Sequence, residues 1–86
     1  MNDLQRQVQF LRAIANDTRL EILKFLRPGP KMSEEIKTNF NLHRSVVQQN
    51  LSKLVINGIL TQYRKGRYVM YELNNENVKR ILDLLP

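Results

Sequence analysis

The chain has 86 residues, with 14 basic and eight acidic side chains, a net charge of +6 and no cysteine. This length predicts one domain, residues 1–86, with a small core. The lack of cysteine excludes a disulfide scaffold, thiolate metal sites and a cysteine nucleophile. No apolar run is long enough to cross a membrane, and the N-terminus lacks an apolar signal core. We therefore expect a cytoplasmic protein with no membrane partner.

Apolar residues spaced three and four apart predict three helices in the first half of the chain. The first covers residues 3–15. A second, strongly apolar helix has Asp17 as its predicted N-cap and ends before Pro28. Ser33 is typical of the N-cap of a short third helix, over residues 33–40.

A fourth helix is predicted over residues 44–57, directly after a tight turn. Its apolar stripe is formed by Val47, Leu51 and Leu54. Gly58 supplies the left-handed conformation that commonly ends a helix.

The pattern then changes from helical to alternating, which predicts a β-hairpin over residues 59–73. A last helix covers residues 76–85. The predicted fold class is therefore mainly α with a small two-stranded hairpin. A short helix, a tight turn and a basic helix are typical of the helix-turn-helix, and a hairpin directly after it makes the fold winged.

The basic charge lies in one part of the chain. Residues 36–71 hold six basic side chains and no acidic one, so the rest of the chain holds 14 − 6 = 8 basic against eight acidic side chains. A division this sharp predicts a surface for a polyanion. Nucleic acid is favoured over membrane because the basic block is not one long amphipathic helix.

Two groups of residues are the candidates for contact with double-stranded DNA. The first lies at the N-terminal tip of the helix over 44–57 and on the side away from its apolar stripe. Its Arg, Gln and Ser side chains suit the edges of bases, and Lys53 suits phosphate. The second forms the tip of the hairpin and suits phosphate or the minor groove. The helix group consists of His43, Arg44, Ser45, Gln48, Gln49, Ser52 and Lys53. The hairpin group consists of Arg64, Lys65, Gly66 and Arg67. The alternatives are an ordinary solvated helix face and a charged loop that discourages edge pairing.

No chemistry of an enzyme is evident. His43 is the only histidine, and no acidic residue stands at metal-binding spacing from it. There is no glycine-rich phosphate loop, nucleophile elbow or carboxylate dyad. We expect no catalytic site, no metal site and no cofactor.

Four segments resemble the ArsR/SmtB family of winged-helix transcriptional repressors. Residues 15–23 resemble the family's opening pattern Ala-x-x-x-Arg-x-x-Ile-Leu, and residues 42–54 resemble its recognition segment. Residues 57–60 and 64–73 are similar to the Gly-Leu-Val and the wing that follow. The resemblance implies a DNA-binding dimer built from the first and last helices.

The differences from this family concern metal. Metal-sensing members carry a Cys-x-Cys pair on the third helix, where Met32 and Glu34 stand here. Other members bind metal between their C-terminal helices through Asp and His, whereas this last helix has Glu76 and Asp83 but no His. The resemblance is therefore to the members that do not sense metal.

The residues themselves allow a dimer, because one small core cannot easily hide the apolar stripes at both ends of the chain. The alternative is that the two stripes pack on each other within a monomer. The candidate interface residues are Leu4, Val8, Leu11, Val78, Ile81, Leu82 and Leu85.

Three functions remain open at this point. The first is a homodimeric, sequence-specific transcriptional regulator, in particular a repressor that covers a promoter. An unidentified protein antagonist, a small-molecule antagonist and protein level alone are the open alternatives for its control. The second is a low-specificity architectural protein of the nucleoid. The third is a winged-helix module that binds an acidic protein. The uncharged Ser45, Gln48 and Gln49 favour the first, because phosphate binding alone does not need them.

Overall fold

The computed structural model describes residues Met1–Pro86 as five helices and three short strands. In chain order they are α1 (Asp3–Ile14), α2 (Asp17–Leu26), β1 (Lys31–Met32), α3 (Ser33–Phe40), α4 (Arg44–Ile56), β2 (Leu60–Lys65), β3 (Tyr68–Leu73) and α5 (Glu76–Leu84). The winged helix-turn-helix fold class predicted from the sequence is confirmed.

Asparagine side chains cap three of the helices. The side-chain oxygens of Asn2, Asn16 and Asn75 accept hydrogen bonds from backbone N–H groups in the first turns of α1, α2 and α5, at 2.8, 3.1 and 3.1 Å. The prediction of Asp17 as the N-cap of α2 is wrong by one residue. Asn16 has the extended backbone that an N-cap needs (φ −152°, ψ 132°), and Asp17 is already helical.

Ser33 is likewise the first helical residue of α3 rather than its N-cap. The N-cap position belongs to Met32, whose backbone N–H donates to the Glu35 carboxylate at 2.9 Å. The helix start therefore depends on the N3 carboxylate reaching back, which is half of a capping box.

The sheet has three antiparallel strands in the order β1-β3-β2, where the sequence predicted two. Strand β3 pairs with β2 from Leu60↔Leu73 to Lys65↔Tyr68, and β1 adds two pairs on its other side. A strand of two residues has no periodicity that a sequence pattern could detect. It fixes the segment before α3 against the wing.

Fourteen apolar residues form one core between the helices and the inner face of the sheet. The predicted α4 stripe is confirmed, because Val47, Leu51 and Leu54 are buried. Gly58, at φ +70°, ends α4 as predicted. The N–H groups of Gly58 and Ile59 donate to the carbonyls of Val55 and Leu54 at 3.0 and 2.9 Å, which is a Schellman motif.

The longest helix has 13 residues. None of the helices is both long and apolar enough to span a bilayer.

Candidate nucleic-acid interface

The helix-turn-helix consists of α3, a short turn and α4. Asn41 ends α3 in the left-handed region (φ 51°), and the N–H of Leu42 donates to the Lys37 carbonyl at 3.1 Å. This closure lets the chain turn sharply within three residues before α4 begins. Because only the apolar stripe of α4 is buried, its other faces are open to a partner.

His43 caps the N-terminus of α4. Its Nδ1 accepts from the backbone N–H of Ser45 at 3.2 Å and lies 2.9 Å from the Ser45 hydroxyl. The Ser45 side chain is thus occupied by the cap. Of the two residues, both predicted to contact DNA, His43 keeps its outer ring nitrogen free.

Arg44 lies beside an acidic side chain that is distant in sequence. Its guanidinium is 3.9 Å from the Glu34 carboxylate, which is also 3.5 Å from the Lys37 ammonium. The sequence pattern showed no nearby partner for Arg44, but the packing of α3 beside α4 supplies one. Glu34 is the one carboxylate that pairs with cations of the basic block.

The middle of α4 presents a polar surface. Gln48, Gln49, Ser52 and Lys53 are exposed and line one shallow depression, together with Ile56. No carboxylate lies within 4 Å of the Lys53 ammonium. The uncharged amides and hydroxyl are free to donate and accept hydrogen bonds, and Lys53 is a free cation at their edge.

The wing tip carries three exposed cations. Gly66 takes a positive φ of 62° at the first position of a two-residue loop between Lys65 and Tyr68, as in a type II′ hairpin turn. Lys65 itself belongs to β2 rather than to the turn. Arg64, Lys65 and Arg67 have no acidic partner within 4 Å, and the Arg67 guanidinium lies 5.7 Å from the centre of the Tyr68 ring.

All 11 residues predicted to contact DNA are exposed. They form two separate groups, on α4 and on the wing tip, and no hydrogen bond or ion pair joins the two groups. Val46 is one further candidate for contact with DNA that the sequence pattern did not identify. It lies in the first turn of α4 and is 37% exposed, so its methyl groups are available to a thymine methyl. Its position in the sequence, next to Val47 of the predicted apolar stripe, could have indicated an apolar side chain at the edge of the exposed surface.

A second exposed surface is apolar and lies on α1. Leu4, Val8 and Leu11 are 68%, 38% and 56% exposed, although Ala13 and Ile14 of the same helix are buried. Thus α1 has two apolar sides, of which only one faces the core. Leu11 lies in a groove that also contains the 82% exposed Ile56 at the end of α4.

The last helix, α5, also has some apolar residues that face solvent and others that face the core. Leu84 at the end of α5 and Leu85 directly after it are exposed, whereas Ile81 and Leu82 are half-buried against the core. The assignment of Val78 to a dimer interface needs correction, because Val78 is completely buried within its own chain. Helical spacing alone could not distinguish the inner side of α5 from the outer side.

An ion pair attaches α5 to the rest of the chain. The Arg27 guanidinium, just after α2, donates to the Asp83 carboxylate at 3.0 Å. The hydrogen bond with Asp83 raises the pKa of Arg27, and the same bond lowers the pKa of Asp83 below its ordinary value. No group of three or more His, Asp and Glu side chains could hold a metal ion.

The fold and the two basic groups define a winged helix-turn-helix protein. Residues 16–62 match the profile of the bacterial regulatory protein, arsR family. The chain is 30% identical over 80 residues to the transcriptional activator HlyU of Vibrio cholerae, covering 93% of this chain and 74% of HlyU. It is also 30% identical over 63 residues to the transcriptional repressor SdpR of Bacillus subtilis, covering 73% and 70%.

Solved structures agree with this assignment. Reduced HlyU from Vibrio cholerae superposes with a TM-score of 0.87 and 29% identity, covering 96% of this chain and 87% of HlyU. A homodimeric winged helix-turn-helix DNA-binding domain from Mycobacterium bovis superposes with a TM-score of 0.86 and 28% identity, covering 98% and 82%.

The chain belongs to the arsR family of bacterial regulatory proteins. The family resemblance stated from the sequence is thereby confirmed, as is the prediction of a regulator rather than an enzyme.

Proposed function

We propose that this chain is a homodimeric regulator of transcription that binds specific sites in double-stranded DNA and represses by covering a promoter. In this proposal α4 enters the major groove and the wing tip contacts the backbone or the minor groove. Two copies of α4 would occupy half-sites centred about 34 Å apart, one turn of the double helix. Such binding would place the chain on the nucleoid.

The observation that carries the proposal is the chemistry of the α4 surface. Gln48 and Gln49 are exposed, uncharged and next to one another, and amides of this kind pair with the edge of adenine. A surface that only attracted phosphate would need cations alone. The combination of base-reading groups with the cations Arg44 and Lys53 favours sequence-specific binding over a general affinity for DNA.

The dimer is supported by the apolar side of α1 and by α5. Large aliphatic side chains at 38–83% exposure, such as Val8 and Leu84, are concentrated on these two terminal helices. A core of 14 buried residues leaves them uncovered. A second copy would bury both surfaces at once through a two-fold axis. The homodimeric relative from Mycobacterium bovis has the same fold.

Selection of bound DNA from a random pool, followed by gel shifts with genomic fragments, tests this function. We expect a selected sequence with two-fold symmetry and discrete shifted fragments. Uniform coating of all fragments would instead indicate an architectural protein. A chain that binds no DNA would contradict both and indicate an acidic protein partner. A reporter gene placed behind the selected site then distinguishes repression from activation.

A further inference from the structure

Arg19 stands in the first turn of α2, and its side chain closes the end of the preceding helix. Its Nε donates to the Ala13 carbonyl at 2.7 Å and its Nη2 to the Arg12 carbonyl at 3.3 Å. The last carbonyls of a helix have no partner within the helix. The two neighbouring carbonyls, of Leu11 and Ile14, accept backbone N–H groups instead. Arg19 therefore completes the hydrogen bonding of the α1 C-terminus.

The same guanidinium also holds α4. Its Nη1 donates to the Asn50 side-chain oxygen at 3.1 Å, a partly buried bond between residues 31 positions apart. The Asn50 amide nitrogen donates to the Val46 carbonyl at 2.8 Å. This second bond fixes which way the amide faces and keeps its oxygen directed at Arg19. One side chain thus connects α1, α2 and α4.

This connection supplies what the apolar packing of α4 lacks. Buried Val47, Leu51 and Leu54 hold the helix against the core, but contact between aliphatic side chains is not directional. A hydrogen bond weakens steeply when its angle or length changes. The bond from Arg19 to Asn50 therefore restricts rotation and sliding of α4 about its own axis.

We infer that Arg19 and Asn50 are positioning residues for DNA recognition, an inference that rests on the proposed function of α4. Their hydrogen bond sets the angle at which Arg44 and Gln48 are presented, without either member of the pair touching DNA. Because Arg19 also holds the end of α1, it connects the apolar dimer surface to the helix that reads the bases.

The guanidinium is needed for its shape as well as its charge. Three separate nitrogens reach three acceptors on two helices, which a planar fork can do and a single ammonium cannot. Arg19→Lys keeps the charge and loses the fork. Asn50→Ala removes the bond to α4 but leaves the capping of α1 intact, so it tests the pair even if Arg19→Lys fails to fold.

The experiment measures the affinity of the wild type, Arg19→Lys, Asn50→Ala and the double variant for the selected site and for random DNA, over a series of salt concentrations. We expect each single variant to lose about tenfold on the selected site. The double variant should lose no more than the worse single variant, because both changes remove the same hydrogen bond between Arg19 and Asn50. Affinity for random DNA and the salt slope should stay at the wild-type values.

Three results would overturn the inference. A salt slope lower by about one unit in Arg19→Lys would make Arg19 a phosphate contact. Losses that add in the double variant would mean that Asn50 contacts DNA itself. Wild-type affinity in both single variants would show that the bond does not orient α4. If the wild type itself bound no DNA, the proposed function would fail instead.

Discussion

Single residues of the two basic groups have different surroundings. Arg44 lies at the start of α4 beside Glu34, whereas Lys65 and Arg67 at the wing tip have no acidic neighbour within 4 Å. An exposed cation without a partner is available to any phosphate. The Glu34 carboxylate, 3.9 Å from Arg44, weakens the attraction of Arg44 for phosphate, whereas the guanidinium can still form two hydrogen bonds with a guanine edge. We therefore expect the groups to differ in what they recognise.

Alanine substitutions test this division of roles. Arg44→Ala or Gln48→Ala should cost about 1–3 kcal/mol on the selected site and little on random DNA. Lys65→Ala or Arg67→Ala should weaken binding to both, and reduce the salt slope by about one unit for each phosphate that the side chain neutralises in the wild type. In a dimer each effect occurs twice. Quantitative gel shifts at several salt concentrations measure both quantities.

The opposite outcomes are equally informative. If the wing variants bind only the selected site more weakly, the wing reads sequence and the roles are reversed. If Arg44→Ala weakens binding to every DNA equally, Arg44 is a phosphate anchor. Specificity would then depend on Gln48 and Gln49.

Glu34 is expected to limit binding to the wrong DNA. In Glu34→Gln, Arg44 and Lys37 lose their carboxylate partner, so affinity for random DNA should rise about two- to fivefold at low salt, and the gain should vanish at high salt. Glu21→Gln is the matched control, because Glu21 is exposed and, unlike Glu34, has no ion pair. Fluorescence anisotropy measures the affinity of both variants for random DNA. An equal increase in the two would show that the effect comes from net charge and not from the position of Glu34.

At the scale of elements, α5 is one of two helices, with α3, that have a single buried residue. Only Val78 of its residues is fully buried, and the Arg27–Asp83 pair fixes its far end. The pKa of Asp83 is lowered by its hydrogen bond with Arg27. A carboxyl group whose pKa is lower in the folded state stabilises the fold above its ordinary pKa, and this contribution is lost as the pH falls through the folded value.

The lowered pKa of Asp83 predicts how the stability of Asp83→Asn depends on pH. The variant should unfold at a lower urea concentration than the wild type at about pH 7. The difference should shrink as the pH falls below 3.8, the ordinary value for this carboxyl group, because the wild type then loses the same charge. Glu21→Gln again serves as the control. A difference that persisted in acid would show that Asp83 acts through packing rather than charge.

At the scale of the whole molecule, two apolar surfaces decide whether the chain acts alone. Leu11 is 56% exposed in the isolated chain, so Leu11→Glu should leave the fold intact and places a charge where we expect a second copy. An unpaired charge buried at an interface costs several kcal/mol, and the variant should be monomeric and lose DNA binding. Gln9→Glu adds the same charge to α1 at a position that is already polar, on the edge of the groove that contains Leu11.

Sedimentation equilibrium separates the two variants. A monomeric Leu11→Glu beside a dimeric Gln9→Glu is the expected pair of results, and a dimeric Leu11→Glu would place the interface elsewhere. Leu82→Glu is a less direct test, because Leu82 is half-buried against the core of its own chain. That variant should be monomeric or unfolded, and circular dichroism distinguishes the two.

The response to metals is the second expectation for the molecule as a whole. With no cysteine and one histidine, we expect DNA affinity to be unchanged by zinc, cadmium or arsenite at micromolar levels. Titration of the DNA complex with each metal measures this. A specific and saturable release would contradict the expectation, and His43, Glu76 and Asp83 would be the first residues to replace.

Much of the fold was determined by the sequence alone, because its signals are local. The spacing of Val47, Leu51 and Leu54 identified the buried side of α4, and Gly58 identified its end. The alternation after residue 59 identified the hairpin. Each of these features depends on neighbours within about one or two turns of the chain, so the pattern is complete before any element packs against another.

Tertiary structure decided the features that join distant segments. The strand β1 depends on its pairing with β3. Val78 is buried because the packing of α5 places it against the core. The packing of α3 against α4 gives Arg44 an acidic neighbour, and Asn50 meets Arg19 across 31 positions. Such pairs have no spacing rule, since their geometry is set by how whole helices pack. The residue types on the candidate DNA surface could be listed from the sequence, but their orientation depends on that packing.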